Sequence, residues 1–201
     1  MMQDSHIEQH RVFGGVIDIL EAMGIDYMIW GGVAVITYGE PRFTQDMDIV
    51  VRLHYSQMDT LARVLEEEGY YVSVEAIRDA VERHFYFNAI HQETGIKIDF
   101  HVAGPDPLLS WAFQHRHVKD FDQIRQAAYM PPESVILTKL HTFRESGSDR
   151  HLRDVEGILR VSGSKLDWDY ISREAVRLGI FGLWRELVDR VKLGKSTSPV
   201  L

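Results

Sequence analysis

The chain of 201 residues contains no cysteine, no long apolar run and no surplus of positive charge. The lack of cysteine excludes disulfides and thiolate metal sites, and it fits a reducing compartment such as the cytoplasm. No apolar run approaches the roughly 20 residues of a membrane-spanning helix, and the first residues are too polar for a signal sequence. The net charge of -8 provides no overall basic surface for nucleic acid. We therefore expect a cytoplasmic protein without a membrane partner.

The composition that remains is typical of a globular protein, with 45% hydrophobic and 26% charged residues. Up to residue 130 the chain mixes strand and helix patterns, and from the proline pair at 131–132 onward helical periodicity predominates. The helices predicted there cover residues 132–145, 148–161, 167–178 and 179–193. We expect an α/β core at 1–130, a helical region at 131–195 and a tail at 196–201.

Short strands are predicted within the first of these regions. Buried-type strands are expected at residues 25–30 and 46–53, with a brief helix at 33–38 between them. Residues 84–91 and 96–102 have the pattern of a hairpin. Residues 104–130 show no clear pattern.

Two aspartates separated by one residue lie at the start of the second predicted strand. Because side chains alternate along a strand, Asp46 and Asp48 face one way while Met47 and Ile49 face the core. Two neighbouring carboxylates repel each other unless a cation lies between them. Their oxygens are ligands that suit Mg²⁺ or Mn²⁺. The spacing therefore predicts a divalent metal site.

A glycine pair and a third aspartate accompany this motif. Gly31 and Gly32 come where the first strand gives way to a helix, which leaves backbone N–H groups able to approach a phosphate. On the second arm of the hairpin, Asp99 shares a strand face with Lys97 and His101. A metal site beside a phosphate-binding turn indicates nucleotide chemistry.

These residues resemble the minimal signature of the nucleotidyltransferase superfamily in its polymerase β-like form. That signature is carried here by WGGVA at 30–34, RFTQDMDIVV at 42–51 and IDF at 98–100. The runs KLHTFR at 139–144 and RDV at 153–155 are similar to the helical part of the AbiEii-type abortive-infection branch. The resemblance implies an α+β fold, with a small mixed sheet flanked by helices and followed by a C-terminal helical region.

The resemblance also implies an activity and a set of site residues. It implies transfer of a nucleoside monophosphate from an NTP, for example ATP, to an acceptor hydroxyl, with Mg²⁺ or Mn²⁺ as cofactor. The residues implied as catalytic and metal-binding are Asp46, Asp48 and Asp99. Those implied for nucleotide binding are Gly31, Gly32, Arg42, Thr44, Lys139 and Asp154. Asp154 would either hold Lys139 in place or touch the nucleotide.

Simpler explanations stand beside these roles. Lys139 and Asp154 could form an ion pair on a helical surface, worth about 0–1 kcal/mol, and Arg42 follows a turn where an exposed arginine is ordinary. The glycine pair alone could be a tight turn. The 10 histidines show no spacing typical of hydrolytic zinc sites. Only His101, which follows Asp99 on the same face, is expected to line the site.

Two functions remain open from the sequence. The first is the metal-dependent transferase, with tRNA, a protein or a small cationic molecule as acceptor and a toxin of a toxin–antitoxin pair as one biological role. The acidic balance favours the last two acceptors over RNA. The second is a catalytically inactive member that binds nucleotide or protein. An antitoxin partner and a homodimer are left open.

Overall fold

A computed structural model of the chain describes residues 2–196 and the side chains of residues 7–192. The chain separates into two compact units. The first comprises Met1–Val33 and Phe43–Met130, and the second comprises Ala34–Arg42 and Pro131–Leu201. Residues 34–42 thus join the helical region that was predicted from residue 131 onward. Apart from Ser196, the predicted tail lies outside the described residues.

The first unit is built on a mixed sheet of seven strands within the described residues. The strands are β1 Tyr27–Trp30, β2 Met47–Val51, β3 Tyr70–Val72, β4 Tyr86–His91, β5 Lys97–Val102, β6 His117–Asp120 and β7 Gln126–Tyr129. Their spatial order is β3-β4-β5-β2-β1-β7-β6. β2 runs parallel to β5 and β1 parallel to β7, whereas the other neighbours are antiparallel. This mixed sheet confirms the α+β fold class.

Helices join the strands of this unit, and polar side chains fix where two of them begin. The helices are α1 Met2–Ala22, α2 Gly31–Tyr38, α3 Met58–Glu67, α4 Val74–Arg83 and α5 Pro107–Gln114, of which α2 continues into the second unit. The Ser73 hydroxyl accepts the Ala76 N–H at the start of α4, and the Asp106 carboxylate accepts the Leu108 N–H at the start of α5. The segment without a clear sequence pattern therefore contains α5 and the β6–β7 hairpin.

The predicted alternation along β5 is confirmed. Ile98, Phe100 and Val102 are buried, with exposed fractions of 0%, 0% and 2%, while the residues between them lie on the other face. Phe100 stacks on Phe87 of β4, with the ring centroids 4.8 Å apart. This apolar layer packs under β4 and β5, on the face opposite to the one that carries Asp99.

The second unit is helical, as the periodicity predicts. Its helices are α6 Pro132–Ser146, α7 Asp149–Ser162, α8 Trp168–Arg177 and α9 Phe181–Ser196. α6 packs on α7 and α8, and α9 packs on the same two helices. The Ser162 hydroxyl donates a hydrogen bond to the Tyr38 carbonyl, which ties the end of α7 to the end of α2. Among the described residues, no helix combines the length and the apolar character needed to cross a bilayer.

Candidate active site

The glycine pair lies against Asp48, in the turn between β1 and α2. Gly31 has a φ of +58°, and a Cβ on this residue would overlap the Asp48 carboxylate. The N–H of Gly32 donates to Asp48 Oδ2 over 3.3 Å. Position 31 therefore requires glycine for steric reasons. The N–H of Gly32, which the sequence suggested could bind a phosphate, donates to the Asp48 carboxylate in this structure.

The sheet register brings Asp48 and Asp99 side by side. Asp48 of β2 pairs with Asp99 of the parallel strand β5, and Trp30 and Asn88 continue this row on β1 and β4. Residues paired across adjacent strands point to the same face of a sheet. The two carboxylates thus share one face, as the sequence predicts.

Lys97 lies among the three predicted carboxylates. Its Nζ is 2.7 Å from Asp99 Oδ2, and its side chain is 37% exposed. The hydrogen bond to Asp99 is the main cause of a raised Lys97 pKa, and the charges of Asp99, Asp46 and Asp48 raise this pKa further. Lys97 therefore pairs directly with Asp99, while Asp46 and Asp48 act on the same ammonium only through their charges.

These carboxylates suit a divalent metal by chemistry, although the side chains are arranged around Lys97. Carboxylate oxygens are the donors that Mg²⁺ and Mn²⁺ prefer. Within the side chains that the structure describes, no group of three or more carboxylates or imidazoles stands in an arrangement that could hold a metal ion. The donor set therefore fits Mg²⁺ or Mn²⁺, provided that the Lys97 ammonium moves away from Asp99.

A cavity of about 390 Å³ opens beside Asp99. Its walls combine aromatic, amide and charged side chains, namely Trp30, Asp48, Tyr86, Asn88, Lys97, Asp99, Phe100 and His101. The His101 ring lies on the Trp30 indole with the centroids 5.4 Å apart. Burial lowers the pKa of His101, which favours the neutral imidazole at pH 7. His101 thus lines the same cavity as Asp48 and Asp99.

Arg42, Lys139 and Asp154 form a separate cluster within the second unit. Arg42 Nε donates to Asp154 Oδ1 over 2.7 Å and Arg42 Nη2 donates to Oδ2 over 3.1 Å, so this pair is bidentate. Lys139 Nζ lies 3.1 Å from Asp154 Oδ2, and the Asp154 side chain is only 2% exposed. The predicted ion pair between Lys139 and Asp154 is therefore present, but it is buried rather than on the surface, and Arg42 is a partly buried member of the same cluster. Two roles were considered for Asp154, holding Lys139 in place or touching the nucleotide. The structure shows the contact with Lys139.

His151 of α7 adjoins this cluster. Burial, with help from the nearby Lys139 charge, lowers its pKa, while Asp154 acts in the opposite direction. Its Nδ1 is buried, with no hydrogen-bond partner among the described residues. The cluster therefore joins two cations, one buried carboxylate and an imidazole whose protonation is disfavoured.

Thr44 shapes the segment that leads into the Asp46 motif. Its hydroxyl donates to the Asp46 carbonyl over 3.4 Å, and its own carbonyl accepts from Gln9 Nε2 over 2.9 Å. These contacts are structural, and the nucleotide-binding role of Thr44 stays a prediction.

Sequence reasoning placed Lys97 on the right face but gave it no role at the site. The available signal was the Lys-x-Asp spacing itself, because residues two apart on a strand are neighbours on one face. Trp30, Tyr86 and Asn88 had no comparable signal. The strand pairings β1–β2, β2–β5 and β4–β5 place these three residues at the cavity. The register of such pairings is not visible in a single sequence.

Solved structures share this fold at low sequence identity. One is an antigenic nucleotidyltransferase-like protein from Paracoccidioides brasiliensis, with 16% identity, a TM-score of 0.55, and coverage of 92% of this chain and 93% of that one. The solution structure of the antibiotic-resistance factor ANT(2'')-Ia has 12% identity and a TM-score of 0.58, covering 96% and 99%. ANT(2'')-Ia in complex with adenylyl-2''-tobramycin has 14% identity and a TM-score of 0.57, covering 85% and 97%. No curated protein matches the chain by sequence.

The sheet, the glycine turn and the paired carboxylates define a nucleotidyltransferase-type core. A family model agrees with this class over most of the chain. The chain belongs to the uncharacterised nucleotidyltransferase family, whose model matches residues 3–188. The superfamily suggested by the sequence is thereby confirmed, whereas the abortive-infection branch is not and stays a prediction.

Proposed function

We propose that the protein is a metal-dependent nucleotidyltransferase that moves a nucleoside monophosphate from an NTP, with ATP as the first candidate, to an acceptor hydroxyl. The observation that carries the proposal is the pairing of Asp48 with Asp99 across β2 and β5, beside a cavity that both residues line. Family membership supports the reaction class.

Each residue of the site has a distinct task in this reaction. Asp46 and Asp48 would hold Mg²⁺ or Mn²⁺ beside the triphosphate. When bound, the divalent ions would neutralise negative charge on the triphosphate and on the departing pyrophosphate. Asp99, which borders the cavity, would join Asp46 and Asp48 in holding the metal and would take the proton of the acceptor hydroxyl as that oxygen bonds to the α-phosphorus. The bond from the α-phosphorus to pyrophosphate breaks in the same step.

The cavity beside Asp99 supports a small molecule as the acceptor. Its volume of about 390 Å³ is within the usual range for small-ligand sites. Trp30, Tyr86 and His101 offer ring faces on which a sugar or other ring can stack, and Asn88 offers an amide for hydrogen bonds. The net charge of -8 argues against tRNA. A protein acceptor, and with it a toxin role opposed by an antitoxin, is the less favoured version of this proposal.

Arg42 and Lys139 stay in the proposal as phosphate contacts. They bring two positive charges to the single carboxylate of Asp154, so the cluster keeps a surplus positive charge that can attract an anion. Asp154 would then position both cations.

One observation favours a second candidate function, a catalytically inactive member that binds nucleotide or protein. The Lys97 ammonium lies 2.7 Å from Asp99, and the described carboxylates stand in no metal-binding arrangement. If Lys97 replaces the metal permanently, Asp99 cannot assist an acceptor hydroxyl. Nucleotide would then bind without transfer.

A transfer assay separates the two functions. The protein is incubated with Mg²⁺ and each α-labelled NTP, with a tRNA pool, a protein extract or a set of hydroxylated small molecules as acceptors. We expect label on a small molecule together with pyrophosphate release, and loss of both in Asp48→Asn. The matched control is Asp59→Asn, an exposed residue on α3, which should transfer normally. Nucleotide binding without transfer to any acceptor would support the inactive member instead.

A further inference from the structure

The short contact between Lys97 and Asp99 belongs to a larger arrangement of charges. Both residues lie on the same face of β5, and Asp48 is the register partner of Asp99 on β2. Met47, the first residue of β2, pairs with Ile98, so Asp46 and Lys97 immediately precede two paired residues on neighbouring parts of the chain. The ammonium therefore contacts Asp99 on its own strand and lies next to the end of the chain segment that carries Asp46 and Asp48.

We propose that Lys97 is an internal counter-ion of this cluster, which holds the three carboxylates together before metal binds and is displaced from Asp99 when the divalent ion arrives. The inference rests on the proposed function, because it assumes that Asp46, Asp48 and Asp99 are metal ligands. It assigns to Lys97 the task of setting how tightly the site binds metal.

The electrostatics of the cluster explain both parts of this role. Without Lys97, three carboxylates would share one face with only mutual repulsion and water to offset their charge. With Lys97, the metal-free cluster carries a charge of -2 rather than -3, so its carboxylates repel each other less and attract the first divalent ion less strongly. Lys97 thus stabilises the metal-free cluster, and it weakens the binding of the first metal ion because it competes for Asp99.

The surroundings of Lys97 allow the exchange. Its side chain is 37% exposed and that of Asp99 is 27% exposed, so the ammonium can swing into water without crossing the core. Tyr86 and Asn88 line the same cavity as Lys97. A displaced Lys97 would therefore stay at the edge of the acceptor cavity, where it adds positive charge next to the entering hydroxyl compound.

The test measures metal binding directly rather than activity. Binding of Mn²⁺ alone is followed by electron paramagnetic resonance for the unmodified protein, Lys97→Met, Lys97→Arg and the control Lys119→Met. Lys119 lies on β6, the third strand from β2 on the far side of β1 and β7. The same samples are heated in EDTA, which reports the stability of the metal-free cluster.

We expect Lys97→Met to bind Mn²⁺ about tenfold more tightly, the size of effect that one adjacent charge commonly has at such a site. In EDTA the same variant should melt about 2–4 °C lower, because the carboxylates lose their counter-ion. Lys97→Arg keeps the charge and should retain the original affinity, and Lys119→Met should leave the affinity for Mn²⁺ unchanged. A merely structural lysine would lower the melting temperature without tightening metal binding.

Two results would overturn the proposal in distinguishable ways. If the unmodified protein binds Mn²⁺ and Lys97→Met binds it equally or more weakly, Lys97 does not compete with metal, while the proposed function stands. If neither protein binds Mn²⁺ although both are folded, the carboxylates are not metal ligands. The proposed function then fails together with the role of Lys97.

Discussion

Replacing Gly31 with alanine tests the link between the glycine turn and Asp48. Alanine at a φ of +58° costs about 1–2 kcal/mol, because the left-handed region crowds a Cβ against the backbone. The new methyl group would also overlap the Asp48 carboxylate, which must then give up the N–H of Gly32. A hydrogen bond to a charged group contributes about 1.5–3 kcal/mol, so we expect the free energy of unfolding to fall by about 3 kcal/mol.

A second glycine separates backbone strain from the effect on Asp48. Gly95, in the turn between β4 and β5, has a φ of +70°, but a Cβ there would have nothing within 4 Å. Urea unfolding should therefore show about 1–2 kcal/mol for Gly95→Ala and clearly more for Gly31→Ala. Mn²⁺ binding should weaken only in Gly31→Ala, because only that variant displaces Asp48. Equal losses of stability with unchanged Mn²⁺ binding in both variants would refute this reasoning.

Further predictions concern the buried cluster and the cavity. Asp154→Asn leaves two cations without their carboxylate and should lower the free energy of unfolding by about 3 kcal/mol, whereas Asp79→Asn in an exposed ion pair should lower it by no more than about 1 kcal/mol. An NMR titration should place the His151 pKa below its ordinary value of 6.5. The neutral His151 imidazole therefore contributes its full stability above pH 6.5, and this contribution is lost as the pH falls towards the pKa in the folded protein. Asp154→Asn should lower the His151 pKa further, and a His151 pKa above 6.5 would contradict the prediction. Asp99→Asn should weaken Mn²⁺ binding by about tenfold or more without unfolding the protein. Tyr86→Ala should raise the KM for a small acceptor while Mn²⁺ binding is unchanged, and an unchanged KM would exclude stacking on this ring.

The parts of the fold that the sequence predicts are those with strong local patterns. The alternation of apolar and polar residues along β5 follows from a strand with one buried face, and the helices after residue 131 follow from their periodicity. Residues 107–129 were missed because α5, β6 and β7 are short, and because the place of β7 in the sheet also depends on a parallel pairing with β1. Such a pairing joins distant parts of the chain and leaves no local signal.

The residues of the candidate site likewise divide into those that the sequence could predict and those that it could not. The placement of Asp48 and Asp99 on one face of the sheet follows from strand geometry, whereas Asp46, predicted on the same strand, lies just before β2. The burial of Asp154 could not be predicted, because it depends on how α7 packs on α6 within the second unit. The contact of Lys97 with Asp99 could also have been predicted, because residues two apart on a strand lie on one face. A lysine next to a predicted metal ligand is, however, easily interpreted as an ordinary solvent-exposed side chain.

The most direct test of the account is anomalous diffraction from crystals of the protein grown with Mn²⁺ and a non-hydrolysable NTP. We expect a manganese peak about 2.1 Å from carboxylate oxygens of Asp46 and Asp48, with Asp99 turned to the same ion and Lys97 released. Manganese bound elsewhere, or an Asp99 still paired with Lys97 in the presence of metal and nucleotide, would contradict it.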